Sequence, residues 1–223
     1  MKLHLPLSAV AAITAVLLCG CTLTASKDSA ETRSDISSGQ ASVKSPDGTI
    51  ELTIHGHGPL SYSIAVDGKP VLIDSRLGLK FKDGQTLGAN ARLARVERKK
   101  SDSTWENQLG KRRSVRDHHH ELRAFFVEQS GRPFEIVVRA FDDGVGFRYV
   151  LPEATGARKD FLLAEEQTQF VFAENFRCYV GENENTGKPE NPIGYVGSQE
   201  SEYVPLHLQD LPTDQVRLVP LLV

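Results

Sequence analysis

Apolar and polar residues alternate over most of the chain after residue 49, in runs that are each short. Ile50, Leu52 and Ile54 are separated by polar residues, and residues 60–66 repeat the pattern. A period of two is typical of strands with one buried face, so these runs predict half-buried β-strands. No window combines a sustained helical stripe with capping residues at both ends, which favours an all-β fold.

Turn signals separate these runs. Asp67-Gly68 stands between two of them, Asp83-Gly84 closes another, and Asp142-Asp143-Gly144 joins two runs that contain aromatic residues. Glycine accepts the positive φ that tight hairpin turns require. Further short strands are predicted at residues 161–163, 168–172 and 176–180. Many short antiparallel strands at this spacing predict one large antiparallel β-sandwich.

The first 20 residues have a different pattern. A short positive start, Met1-Lys2, precedes a nearly continuous apolar stretch over residues 5–18, which is short for a permanent membrane span and is typical of an export signal. The stretch ends in Leu18-Cys19-Gly20-Cys21, which resembles a bacterial lipobox. We therefore predict a lipoprotein signal peptide over residues 1–20 and lipidation of Cys21, with an ordinary secretory peptide cut nearby as the alternative.

Composition separates the rest of the chain into two parts. Residues 21–45 are rich in small polar and charged residues, which predicts a flexible tether, and residues 46–223 form the predicted sandwich domain. The protein is then expected to be an exported bacterial lipoprotein, periplasmic or anchored in the outer membrane through its lipid. With Cys21 acylated, Cys178 has no intramolecular partner, and its apolar surroundings predict a buried strand thiol.

Length and charge exclude several classes of function. The 223 residues suffice for one sizeable domain, and 26 Lys and Arg against 29 Asp and Glu give a net charge of −3. Since no global positive field exists, we predict no nucleic-acid partner. Neither a nucleophile elbow nor a phosphate-binding glycine loop is present.

His118-His119-His120 is the most conspicuous polar cluster. On a strand His118 and His120 share one face and His119 lies on the other, so at most two neighbouring imidazoles converge. Nothing at metal-ligand spacing completes a zinc site, and a strand with polar and partly buried histidines is the favoured interpretation.

Carboxylates gather in two Gly- and Asn-rich or polar stretches near the C-terminal end of the chain. They are Glu182, Glu184, Glu200 and Glu202. Oxygen ligands in loops suit Ca²⁺, but no recognisable calcium-loop spacing is present, so composition alone favours a solvated acidic loop. Trp105 and Tyr195 are candidates to stack on the apolar face of a sugar, but a lone tryptophan in a β-protein is more often part of the core.

Two stretches of the sequence are distinctive. The first contains Trp105, Gly110, Arg116-Asp117-His118 and Glu121-Leu122; the second is the string Val138-Arg139-Ala140-Phe141-Asp142-Asp143-Gly144-Val145-Gly146-Phe147-Arg148-Tyr149. Both resemble the N-terminal domain of glycoside hydrolase family 97, a family of bacterial α-glucosidases and α-galactosidases. The resemblance runs from about Val43 to the end of the chain. It implies a mutarotase-like super-sandwich that packs against a catalytic (β/α)₈ barrel.

The resemblance also implies a role for the late carboxylates. In the family, Ca²⁺ at the boundary between sandwich and barrel takes one glutamate from the N-terminal domain, and Glu200 matches that position, with Glu202 as the fallback. The catalytic carboxylates of the family lie on the barrel. Because the sequence ends at residues 219–223 in an apolar, strand-like run, we expect a chain cut before the barrel, with a sandwich that is itself incomplete.

The sequence suggests three possible functions. The first is the sandwich of a calcium-dependent α-glycosidase, not catalytic alone, with α-linked oligosaccharide and its own barrel domain as partners. The second is a stand-alone carbohydrate-binding surface lipoprotein. The third is an aldose-epimerase-like enzyme that uses His118 or His120 with Glu121 as acid and base.

Overall fold

The computed structural model describes residues 36–152, 161–181 and 203–211. Within these ranges the chain forms thirteen strands, one 3₁₀ turn and a short helical segment over residues 36–38. The strands are β1 Gln40–Lys44, β2 Ile50–His55, β3 Ser61–Val66, β4 Lys69–Arg76, β5 Leu79–Phe81, β6 Thr86–Leu87, β7 Ala91–Glu106, β8 Ser114–Glu128, β9 Pro133–Phe141, β10 Gly144–Val150, β11 Leu163–Glu166, β12 Arg177–Gly181 and β13 Tyr203–His207, and the 3₁₀ turn is Leu208–Asp210. No helix in the described ranges has the length and apolar content to cross a bilayer.

Two four-stranded antiparallel sheets form the body of the domain. Their strand orders are β1-β2-β3-β4 and β10-β9-β8-β7. Strands β1 and β2 contact β8, β9 and β10, so the two sheets lie face to face. Two smaller sheets, β11-β5-β6 and β12-β13, complete the described part. The predicted antiparallel β-sandwich is confirmed.

The core lies between the two large sheets and is built from alternate residues of their strands. Phe126 and Phe134 stack with ring centroids 5.3 Å apart, and Leu52 and Ile54 are buried on the facing sheet. Tyr62 is fully buried but its hydroxyl donates to the Gln169 carbonyl at 2.9 Å, so the polar group is satisfied. Burial raises the pKa of Tyr62 to about 12.

The turn between β3 and β4 follows the sequence prediction. Asp67 and Gly68 have φ of 50° and 75°, and the strands pair up to Val66 and Lys69. Two successive positive φ values are the geometry of a type I′ hairpin, whose twist matches that of the flanking strands.

Two segments of the chain differ from the sequence prediction. Strand β1 lies inside the segment predicted as a tether, with Ala41 and Val43 buried against the sandwich, so the folded part begins earlier than composition indicated. Residues 168–172 are not a regular strand: they run along β4, where Phe172 forms an isolated bridge with Leu72. At this place the Ser75 hydroxyl, rather than a backbone carbonyl, accepts the Val171 amide at 2.9 Å.

Candidate functional site

Strands β7 and β8 extend beyond the sheet to which they belong. They pair with each other from Ala91↔Glu128 to Glu106↔Ser114, whereas β9 pairs with β8 only as far as His120. Residues 101–119 therefore form a two-stranded segment, which we call the ribbon. Its six residue pairs extend about 20 Å past the last β8–β9 pair.

One face of the ribbon carries an aromatic ring beside an oriented carboxylate. Trp105 lies opposite Val115, and the next pair on the same face is Ser103 and Asp117. The Trp105 residue is 52% exposed, so the expectation that this lone tryptophan belongs to the core is wrong.

His119 holds the Asp117 carboxylate in place. Its Nδ1–H donates to Asp117 Oδ1 at 2.6 Å, and its ring packs against Phe141 with centroids 5.1 Å apart. The His119 side chain is 4% exposed and that of Asp117 is 31% exposed. The buried imidazole thus fixes the direction of a carboxylate that still reaches solvent.

The opposite face of the ribbon is an ion-pair surface. Arg116 donates to both carboxylate oxygens of Asp102, at 2.8 and 2.7 Å. This hydrogen bonding and the nearby positive charge lower the pKa of Asp102, and the same contact raises the pKa of Arg116. Further along this face, His118 Nδ1 lies 3.7 Å from Asp142 Oδ2.

The histidine triplet lies on β8, as predicted, with its members on alternate faces. His120 donates from Nδ1 to the Lys44 carbonyl at 2.9 Å, whereas His119 faces the other way toward Phe141. In the described ranges, no group of three or more His, Cys, Asp or Glu side chains is placed to hold a metal ion. The three rings therefore have separate structural partners.

The acid–base pair of the epimerase hypothesis is not assembled. Glu121 lies on the face of β8 opposite to His118 and His120, because adjacent strand residues point to opposite sides. Its Oε2 accepts from Arg139 Nε at 2.8 Å. Burial acts to raise the pKa of Glu121, but the Arg139 bond and charge outweigh it and the pKa lies below its usual range.

Several predicted site residues fall outside the part of the chain that the structure describes. They are Cys21, Glu182, Glu184, Tyr195, Glu200 and Glu202. The stretch with the last two glutamates directly precedes β13, whose first residue, Tyr203, pairs with Gly181 of β12. Cys178 is described, and the prediction of a buried strand thiol is confirmed.

Most of the chain matches the sequence profile of a known protein family. The profile described as "Glycosyl-hydrolase 97 N-terminal" matches residues 43–223. The chain belongs to this family. The match covers the whole described sandwich from within β1 onward, including the ribbon and the turn at Asp142-Asp143-Gly144.

Curated relatives of this family member are much longer proteins. A retaining α-galactosidase of Bacteroides thetaiotaomicron is 24% identical over 184 residues, which cover 82% of this chain and 27% of that protein. A probable retaining α-galactosidase of Streptomyces bingchenggensis is 32% identical over 152 residues, covering 66% of this chain and 23% of that protein. The chain spans about a quarter of the length of these relatives.

Solved structures of two longer proteins have the same fold over the matched part. A glycoside hydrolase family 97 enzyme from Pseudoalteromonas sp. strain K8, solved in complex with panose and in another structure with acarbose, superposes with a TM-score of 0.65 at 26% identity over 76% of this chain and 25% of that one. A β-arabinopyranosidase superposes with a TM-score of 0.64 at 26% identity, covering 74% of this chain and 26% of that one.

Proposed function

We propose that this chain serves as the N-terminal, carbohydrate-binding and active-site-supporting sandwich of an α-glycosidase and does not hydrolyse glycosides by itself. The observation that carries the proposal is the family match over residues 43–223, aligned to about a quarter of each longer enzyme. The proposed substrates of the complete enzyme are α-glucosides or α-galactosides, which the activity and the ligand named for those relatives support.

The charged groups of the sandwich support a non-catalytic role. Glycoside hydrolysis uses two carboxyl groups that flank the scissile bond, one of them able to give up a proton. In the sheet β10-β9-β8-β7, two largely buried carboxylates on the face away from the core are instead paired with arginines. Glu121 is paired with Arg139, and Glu135 with Arg123 at 3.5 Å. Arg139 lowers the pKa of Glu121, and a carboxyl group with a lowered pKa is a poor general acid near neutral pH.

An assay of the purified 223-residue chain on aryl α-glucosides and α-galactosides tests this proposal. We expect no turnover above the buffer background, with a full-length family 97 enzyme as the positive control. Turnover well above background, lost in a Glu121→Gln variant but not in Glu106→Gln, would contradict the non-catalytic role.

We further propose that Glu200 binds Ca²⁺ in the complete enzyme, with Glu202 as the alternative ligand. The donor chemistry fits, because carboxylate oxygens are the hard ligands that Ca²⁺ prefers. The cation, when bound, supplies Lewis-acid polarisation or orients catalytic groups. Within this chain Glu200 contributes one carboxylate, so the isolated domain is expected to bind Ca²⁺ only weakly.

Calorimetric titration of the chain with Ca²⁺ measures this contribution directly. Weak heat that is lost in Glu200→Gln and kept in Glu182→Gln supports the assignment. Loss in Glu202→Gln alone would transfer the role to that residue, and equal binding by all variants would contradict it.

Export and lipidation at Cys21 remain part of the same proposal, supported by the lipobox-like sequence. The domain would then lie beside a membrane on a tether of about 18 residues, since the first strand begins at Gln40. Metabolic labelling with a palmitate analogue is expected to mark the wild-type protein and not Cys21→Ser; labelling of both variants would contradict the site.

A further inference from the structure

Trp105 is the one tryptophan of the chain, and the sandwich leaves it exposed. The large aromatic residues of the core, such as Tyr62 and Phe126, are almost completely buried. Trp105 instead lies near the end of the ribbon, where Val115 is its cross-strand partner. A flat apolar ring next to polar side chains is the composition of a ligand contact rather than of a core position.

The neighbours of Trp105 on the same face are polar and partly fixed. Ser103 and Asp117 form the next pair along the ribbon, about 7 Å away. The Asp117 carboxylate is already oriented by His119 at 2.6 Å, so a donor that approaches it meets a positioned acceptor. Its remaining lone pairs can accept hydrogen bonds from hydroxyl groups, because a carboxylate offers about four acceptor sites.

This arrangement matches the chemistry of one hexopyranose unit. A pyranose has an apolar face of C–H groups, which packs on an indole ring, and a rim of hydroxyl donors, which a carboxylate and a serine hydroxyl can bind. A phosphate-bearing ligand fits less well, because Asp117 carries a negative charge on the same face.

We propose that this face of the ribbon binds a hexopyranose unit of an α-linked oligosaccharide, with Trp105 stacked on the sugar and Asp117 accepting from its hydroxyls. The proposal rests on the proposed function for the class of ligand. It adds the place of contact, which lies on a part of the sandwich that is distant in sequence from Glu200.

Tryptophan fluorescence provides a site-specific measurement, because a single residue gives the signal. Titration of the chain with panose is expected to quench or blue-shift the emission in a saturable way, with a dissociation constant on the order of millimolar, since one small contact surface is used. Calorimetry of the variants should then show at least a tenfold loss for Trp105→Ala and a smaller loss for Asp117→Asn, whereas Trp105→Phe should retain part of the binding.

Phe170→Ala is the matched control. Phe170 is also an exposed aromatic residue, 62% accessible, but it lies on the segment along β4 rather than on the ribbon. Its removal should leave panose binding unchanged. Thermal unfolding of each variant checks folding, and Trp105→Ala is expected to fold normally because the ring is not in the core.

The proposal is overturned if panose and an α-galactoside disaccharide leave the emission unchanged, or if Trp105→Ala binds as well as wild type. The first result would show that the exposed ring of this chain does not contact these sugars. Neither result bears on the turnover assay, so failure of this contact and failure of the proposed function can be told apart.

Discussion

The two ends of β7 and β8 belong to the same pair of strands and have different surroundings. At the inner end, residues 91–96 and 122–128, alternate side chains are buried under the facing sheet, including Leu93, Leu122 and Phe126. In the ribbon, residues 101–119, only His119 is buried. Pairing therefore continues where packing stops, and burial is decided by what lies across the sheet rather than by strand pairing.

The largest contrast is expected from deletion of one aromatic ring at each end. Phe126→Ala removes a ring stacked on Phe134 in the core and should lower the free energy of unfolding by about 3–5 kcal/mol. Trp105→Ala should lower it by less than about 1 kcal/mol. Urea unfolding measures both, and equal losses would show that the ribbon is packed as tightly as the core.

Two glycines with positive φ give the next contrast. At Gly88, φ is 85° and an added Cβ would collide with the Leu77 carbonyl oxygen, so Gly88→Ala should cost about 2–3 kcal/mol. At Gly110, φ is 122° but the nearest atom to an added Cβ is the flexible Asn107 side-chain nitrogen at 3.2 Å, so the cost should be about 1 kcal/mol. Similar melting temperatures for the two variants would contradict this difference.

Substitution of one glutamate at each end of the β7–β8 pair should change the free energy of unfolding by smaller amounts. Glu128 is buried and accepts the Gly88 amide, so Glu128→Gln should weaken a charge-assisted bond and cost about 1–2 kcal/mol. Glu106 faces Arg113 at 3.4 Å with 71% of its side chain exposed, and Glu106→Gln should cost less than about 0.5 kcal/mol. Denaturant midpoints compare the two, and a larger effect at Glu106 would reverse the assignment of buried and exposed ends.

The smallest expected effect on stability is the loss of the Asp47 carboxylate charge at low pH. Hydrogen bonds from the Ser45 hydroxyl and the Thr49 amide lower the pKa of Asp47, in the turn after β1, from 3.8 to about 2. Because this pKa is lower in the folded protein than in the unfolded chain, the ionised Asp47 carboxylate stabilises the fold at pH values above about 4. This contribution should be lost as the pH falls from about 4 to about 2. An NMR titration of the carboxyl carbons should give this pKa, and Asp47→Ala should reduce the acid sensitivity in that window; an ordinary titration near pH 4 would contradict the turn geometry.

Alternation predicted much of the sandwich because each buried strand has one covered face. Leu52 and Ile54 in β2 illustrate this, and so does Asp67-Gly68, whose turn chemistry is local. The course of residues 168–172 could not be predicted in the same way. Those residues have strand-like composition, but their path is set by the Ser75 hydroxyl and by backbone groups of β4 nearly 100 positions earlier.

The candidate site shows the same division between local and distant causes. The opposite faces of the histidine triplet follow from the period of two, which the sequence contains. Trp105 is exposed because its part of the ribbon extends past the packed end of the sheet, which no local pattern around Trp105 indicates. The contact between His119 and Phe141 likewise joins two strands and appears only once they are paired.

The long pairing of β7 with β8 has a consequence for the order of folding. The two strands are joined by a loop of residues 107–113, so their contacts are close in sequence, whereas residues 169–173 join β4 across nearly 100 positions. Contacts with short sequence separation form faster because less chain entropy is lost on closure. During synthesis the hairpin can therefore form before residue 173 has emerged, while the β4 edge is still open to pairing with another chain.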